Sequence, residues 1–232
     1  MFNNKKIIVS MTSWKKRIEC VSKIIYMMER QTVIPDKIVL NLAENEFIQK
    51  ENDLPKDLLL LNDTLENFEI YWVKENTKAF KKVIPTIERF FNEDCIILSI
   101  DDDYFYRKTY IENMITLVEK YPNNFLTPGN EGAFIHGWCA AYKPSFFKNR
   151  QLFQITKTYC DKIVSSDLWI TLNLERNGIK PKILKEINNF YSKGIEISPL
   201  SKQYCAIPIK QRYKACWELF KMIEKKSIQD NS

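Results

Sequence analysis

The chain has 232 residues, of which 45% are apolar and 13% aromatic, and a net charge of +6. That is too much apolar material for a disordered chain and enough for one sizeable core; the mild positive balance suits phosphate-bearing ligands or an anionic membrane face, but without a dense basic stripe before the C-terminal segment it does not suit nucleic acid. The single histidine, His136, and the five glycines, Gly129, Gly132, Gly137, Gly178 and Gly194, cannot build a G-x-G-x-x-G turn or a Walker A loop, so Rossmann dehydrogenases and P-loop enzymes drop out.

Lys6-Ile7-Ile8-Val9-Ser10 predicts a buried strand, and the spacing of Ile18, Val21, Ile24, Ile25 and Met28 predicts a helix after it. Pro35-Asp36 marks a turn before a second strand, Lys37-Ile38-Val39-Leu40. One or two short helices follow between Glu44 and Leu61, with Pro55 as a start signal, and Phe68 to Val73 is a third strand. A helix from about Thr77 to Phe91 is kinked or restarted near Pro85. Cys95-Ile96-Ile97-Leu98-Ser99-Ile100 is almost wholly apolar, as a central parallel strand covered on both faces should be, and it ends in Asp101-Asp102-Asp103. A helix is expected over Tyr110 to Lys120, a strand near Ala133 to His136, and a helix from about Ser166 to Asn177.

The alternation of strands and helices in the first half predicts an α/β fold: a three-layer α/β/α sandwich around a mostly parallel sheet. Residues 1–200 would form one domain. Residues 201–232 would form a basic amphipathic helical extension, apolar at Tyr213, Trp217, Phe220 and Ile223, with Lys210, Arg212, Lys214, Lys221, Lys225 and Lys226 on the other face. Its apolar face would dock on the domain; the competing reading lays it on an anionic membrane with its lysines toward the headgroups. No apolar run reaches the ~18 residues of a transmembrane helix, and residues 1–10 lack an extended signal-peptide core. The cysteines, Cys20, Cys95, Cys139, Cys160, Cys205 and Cys216, show no C-x-x-C spacing, and are read as reduced, mostly buried thiols of a cytoplasmic protein.

Ligands of open α/β sheets bind at the carboxyl ends of the strands, where the acidic triplet falls. Three adjacent carboxylates repel one another, and a hard divalent cation that also binds phosphate relieves the repulsion. An Asp-rich turn capping the next helix is the plain alternative.

The ordered motifs resemble those of GT-A glycosyltransferases, specifically family-two-like bacterial enzymes that build surface polysaccharides, over about residues 5–180. Ile7 to Trp14 with Arg17 resembles their first strand and nucleotide loop, and Gln31-Thr32 with Pro35 to Leu40 the approach to their second strand. Lys81-Lys82-Val83-Ile84-Pro85 resembles their lysine-bearing segment, Ile97 to Asp103 their D-x-D strand end, and Gly137-Trp138, Ala141 to Ser145 and Ser166 to Trp169 their acceptor-side elements. One departure is that the second strand ends Asn41-Leu42-Ala43-Glu44, where many relatives carry an acidic pair.

The resemblance implies a GT-A-like fold and transfer of a sugar from a nucleotide donor, a UDP-sugar, to a saccharide or lipid-linked glycan, with inversion, in surface polysaccharide synthesis. Asp103 and Asp101 would bind Mn2+ or Mg2+; Thr12, Arg17, Lys82, Asp101 and Asp102 would contact the donor, with Lys81 as the fallback for Lys82. Asp167 would be the general base, with Asp161 as its alternative, Trp138 would stack against the acceptor, and His136 would complete the metal shell or meet the acceptor. Each has a plainer reading: Thr12-Ser13 as a helix cap, Lys82 as a solvated lysine, Asp167 as an N-terminal helix charge, Trp138 as core and His136 as structural. The enzyme would work in the cytoplasm or at the inner face of the membrane. A haloacid-dehalogenase-type phosphatase would need its aspartates on the first strand, with Thr or Val where Phe105 stands; a nucleotidyltransferase would need glycines between Ser10 and Arg17. The other reading is an inactive sugar-nucleotide or carbohydrate-binding module of the same fold.

Overall fold

The computed structural model describes residues 5–128, 139–148, 150–193 and 209–229. In chain order the elements are β1 (Lys6–Thr12), α1 (Val21–Glu29), β2 (Lys37–Ala43), α2 (Lys56–Thr64), β3 (Phe68–Val73), α3 (Ile84–Arg89), β4 (Cys95–Ile100), β5 (Tyr104–Tyr106), α4 (Tyr110–Lys120), β6 (Phe125–Pro128), β7 (Cys139–Tyr142), α5 (Gln151–Tyr159), α6 (Ser166–Arg176), β8 (Pro181–Leu184), β9 (Tyr191–Lys193) and α7 (Ile209–Gln229). The expected helix over 77–91 is a short 3-10 turn, Lys78–Lys82, followed by α3, which starts where Pro85 sits in its first turn.

Seven strands form one sheet in the order β3-β2-β1-β4-β7-β6-β8. The first four strands run parallel, β7 is antiparallel to both β4 and β6, and β8 returns parallel to β6. The sheet is thus mostly parallel and sandwiched between helices, as the sequence predicts. A small second sheet pairs β5 with β9.

Strand alternation divides the core into two halves. Ile7, Val9 and Met11 of β1 and Ile96, Leu98 and Ile100 of β4 pack against α1, α2 and α4. Ile8, Cys95 and Ile97 face the other way, against α3, α5 and α6. α7 closes this second half: Cys216, Phe220 and Ile223 are buried in it, and Phe220 meets Trp169 of α6 edge-on at 5.8 Å. The helix therefore docks on the domain, but turned relative to the expected face. Cys216 points inward and Trp217 is 40% exposed, because Cys216, Phe220 and Ile223 form the four-then-three helical spacing that matches the groove. The strand expected near 133–136 lies outside the described residues. Cys20, Cys95, Cys139, Cys160 and Cys216 are free thiols, all but Cys160 buried. Among the described residues no helix is long and apolar enough to cross a membrane.

Candidate functional site

The carboxyl ends of β1 and β4 lie side by side, since Ser10 pairs with Ser99. The loops leaving these two strands build the site. After β1 the chain turns back on the Trp14 carbonyl, which accepts from the Arg17 and Ile18 amides at 2.9 and 3.1 Å, and the turn presents Arg17. After β4 the acidic triplet begins.

Alternation continues into the triplet and parts its members. Asp102 follows the β4 positions that face α1, and it is buried at 1% exposure. Its carboxylate accepts from Arg17 and, at 2.5 Å, from the Ser13 hydroxyl. Arg17 itself is buried and reaches Asp103 as well, Nη1 to Oδ2 at 2.5 Å. Asp101 follows the opposite face and accepts from the ammonium of Lys82 at 2.7 Å.

Burial pushes the Asp102 carboxyl up to about 7, against the pull of Arg17 and Ser13. Burial also raises Asp103, helped by the charge of Asp101 and opposed by Arg17. Lys82 sits in the opposite balance: burial would lower it, but the carboxylates of Asp101 and then Asp167 hold it well above its ordinary value. Asp167 lies in the first turn of α6.

The backbone around these groups is held by buried polar contacts. The Ser10 hydroxyl donates to the Lys82 carbonyl at 2.6 Å and shares a 2.6 Å hydrogen bond with Thr86. Asn41 donates to Ser10, Thr86 and the Met11 carbonyl at 3.2, 3.0 and 3.3 Å. This accounts for asparagine at the end of β2: a buried amide here ties β1 to α3, a job a carboxylate, with no hydrogen to donate, does not do. On the other side the Tyr106 hydroxyl accepts from the Asp101 amide at 2.8 Å and donates to its carbonyl at 3.2 Å. Tyr106 is buried against Tyr110, ring centroids 4.8 Å apart.

The sequence expectations fare unequally. Asp101, Asp103, Lys82 and Arg17 are brought together at the carboxyl end of the sheet, and Asp167 adds to the charge felt by Lys82. Lys82 is not the solvated lysine its helical position suggests; it is buried. Lys81 is buried too, but turns to Asn76 and, at 3.7 Å, to Glu46. Asp102 is an internal anchor, sealed from any donor by Arg17 and Ser13. Thr12 gives its hydroxyl hydrogen to the Asn41 carbonyl at 2.7 Å and caps no helix. Asp161 is exposed and paired with Lys78 at 2.8 Å. Trp138 and His136 lie outside the described residues. Sequence reasoning gave Ser13 only as part of a helix cap and missed Tyr106; the Tyr-x-Tyr of β5 directly after the triplet was the available signal for the second.

The donor set fits a hard divalent cation in part. Asp103 Oδ1 is buried without a hydrogen-bond partner from another residue, an orphaned acceptor that an oxygen-seeking cation would satisfy. Among the described residues no group of three or more His, Cys, Asp or Glu side chains could hold a metal alone. A cation here would take one or two carboxylates from the protein and complete its shell with phosphate and water, the usual habit of Mg2+.

No protein-family model and no curated protein matches the sequence. Solved structures do match in fold. S. aureus TarS superposes with a TM-score of 0.51 over 85% of this chain and 38% of its own, at 11% identity. TarS residues 1–349 in complex with UDP-GlcNAc superposes with a TM-score of 0.50 over 84% of this chain and 61% of that one, again at 11% identity. The chain thus spans less than two thirds of the solved proteins it matches, and it shares their α/β fold.

Proposed function

We propose that the protein is a glycosyltransferase of the GT-A type that moves a sugar from a UDP-sugar to a saccharide or lipid-linked glycan, with inversion, in bacterial surface polysaccharide synthesis. One observation carries the reading: Asp103, with its orphaned Oδ1, stands beside Asp101, Arg17 and Lys82 at the end of β4. The fold shared with a protein solved bound to UDP-GlcNAc supports the donor class.

In this reading Asp103 and Asp101 hold Mn2+ or Mg2+, whose charge would neutralise the departing diphosphate. Lys82 and Arg17 supply fixed positive charge to the same diphosphate, Lys82 as a point charge and Arg17 through its planar fork. Asp102 and Ser13 orient Arg17. Asp167 takes the proton of the acceptor hydroxyl as the new glycosidic bond forms. It lies in the first turn of α6, where a negative charge is favourable to the helix.

A binding module of the same fold is the second reading, and turnover separates the two. The protein is incubated with Mn2+ and a panel of UDP-sugars, and slow donor hydrolysis is followed as UDP release. EDTA-sensitive release of UDP from one donor supports the enzyme. Binding without release from any donor leaves the module.

A further inference from the structure

The docking of α7 leaves one side of the helix outward, and that side is mostly basic. Lys210, Lys214, Trp217, Lys221 and Lys225 are all exposed. Their spacing, i, i+4, i+7, i+11 and i+15, sets them on one stripe along the helix. It faces away from Cys216, Phe220 and Ile223, which fill the groove. Met222 lies on its flank at 41% exposure. Glu218 is the acidic neighbour, 3.8 Å from Lys214. The helix carries six basic residues against Glu218 and Glu224, so four of the chain's six net positive charges lie within its 21 residues.

We infer that this stripe is a docking surface for an anionic lipid bilayer. Charge complementarity sets the sign of the partner, and the tryptophan sets its kind. Lysines along one helix face attract anionic headgroups, while an amphipathic indole among them favours the headgroup boundary of a bilayer. The long lysine stems can lie along the apolar boundary with their ammonium groups among the phosphates. Lys221 already stands over the Trp217 ring, 5.1 Å from its centroid, and Trp217 stacks on the buried Phe220 at 6.0 Å, so the indole is held outward by its own anchor. The stripe also has a place relative to the site. The Cys216 thiol donates to the Ser165 carbonyl at 3.8 Å, which sets the middle of α7 at the N-terminal end of α6, two residues from Asp167. α7 therefore packs beside the end of α6 that carries the candidate base.

Vesicle binding tests the stripe without turnover, whatever the chemistry of the site. The full chain is sedimented with phosphatidylglycerol-rich vesicles, with pure phosphatidylcholine vesicles, and after addition of salt. Binding is expected only to the anionic vesicles and to fall with salt. The combined change Lys210→Gln, Lys214→Gln, Lys221→Gln and Lys225→Gln should weaken it at least about a hundredfold, each lysine near an anionic surface being worth roughly fivefold. All four are exposed, so the melting temperature of this variant should match that of the wild type, and its UDP binding should be unchanged. Equal binding to both vesicle types, no binding to either, or undiminished binding by the variant overturns the assignment. Stronger retention of poly-glutamate than of vesicles also overturns it, making the stripe a site for an acidic protein.

Discussion

Asp102→Ala separates an anchor from a ligand within one acidic triplet. The change removes the carboxylate that accepts from Arg17 and Ser13, whose side chains are both buried. Deleting one partner of a buried ion pair costs about 3–5 kcal/mol, because the remaining charge is left without compensation. Arg17 keeps its contact to Asp103, so the lower end applies, about 3 kcal/mol. For a chain of this length that corresponds to a fall in melting temperature of about 6–12 °C. Asp103 is more open to solvent, its side chain 23% exposed, and it makes one side-chain contact, so Asp103→Asn should cost about 1 kcal/mol. Urea unfolding of the three proteins at one pH well above 7, where Asp102 carries its charge, followed by circular dichroism, measures both differences. If Asp102→Ala unfolds within about 0.5 kcal/mol of wild type while Asp103→Asn is the unstable variant, the assignment of anchor and ligand is reversed and the reasoning fails.

Asp167→Asn should leave UDP binding intact and lower turnover by about 10²–10⁴, the usual contribution of a positioned base; a loss of UDP affinity instead would place Asp167 in the donor site. Lys82→Met should raise the donor KM and weaken UDP binding in isothermal titration, since Asp101 then faces the diphosphate without its cation; unchanged affinity would mean that Lys82 only neutralises Asp101. Tyr106→Phe removes both hydroxyl contacts to the Asp101 backbone and should cost about 1 kcal/mol in urea unfolding; an unchanged midpoint would mean that these contacts do not hold the strand end. Burial tends to raise Glu69, but hydrogen bonds from Arg89 and Lys37 bring it below its ordinary value. Its contribution is therefore present at neutral pH and lost as pH falls through its folded value. Melting curves of Glu69→Gln should lie below wild type at neutral pH and converge with it in acid, below the folded value of Glu69; a constant gap would refute the linkage.

The parallel half of the fold was legible because its strands are mostly apolar runs, each broken by a single polar residue: Ile7 to Met11, Ile38 to Leu42, Cys95 to Ile100. The helices between them declare themselves by period. β6, β7 and β8 are four-residue pieces, Phe-Leu-Thr-Pro, Cys-Ala-Ala-Tyr and Pro-Lys-Ile-Leu, and their pairing is non-local, so no local signal marks them. β5 is hidden between the triplet and α4, and becomes a strand only because Tyr191 to Lys193 returns beside it. The site followed the same rule. A run of three aspartates after a buried strand locates the carboxyl end of a sheet, but adjacency conceals which carboxylate turns inward. Extending the alternation of β4 by two residues would have sent Asp102 toward α1 and Arg17. The burial of Lys82 was not legible, since it depends on Ser10 holding the Lys82 carbonyl from another strand.

Asp103 is proposed as the point where a divalent cation meets a nucleotide diphosphate. Titration of UDP into wild type and Asp103→Ala, each with Mn2+ and with EDTA, tests it directly, with circular dichroism confirming that the variant is folded. Wild type should bind UDP in a Mn2+-dependent manner, and Asp103→Ala should lose that binding. Binding by the variant as tight as wild type, with the same dependence on Mn2+, would contradict the assignment.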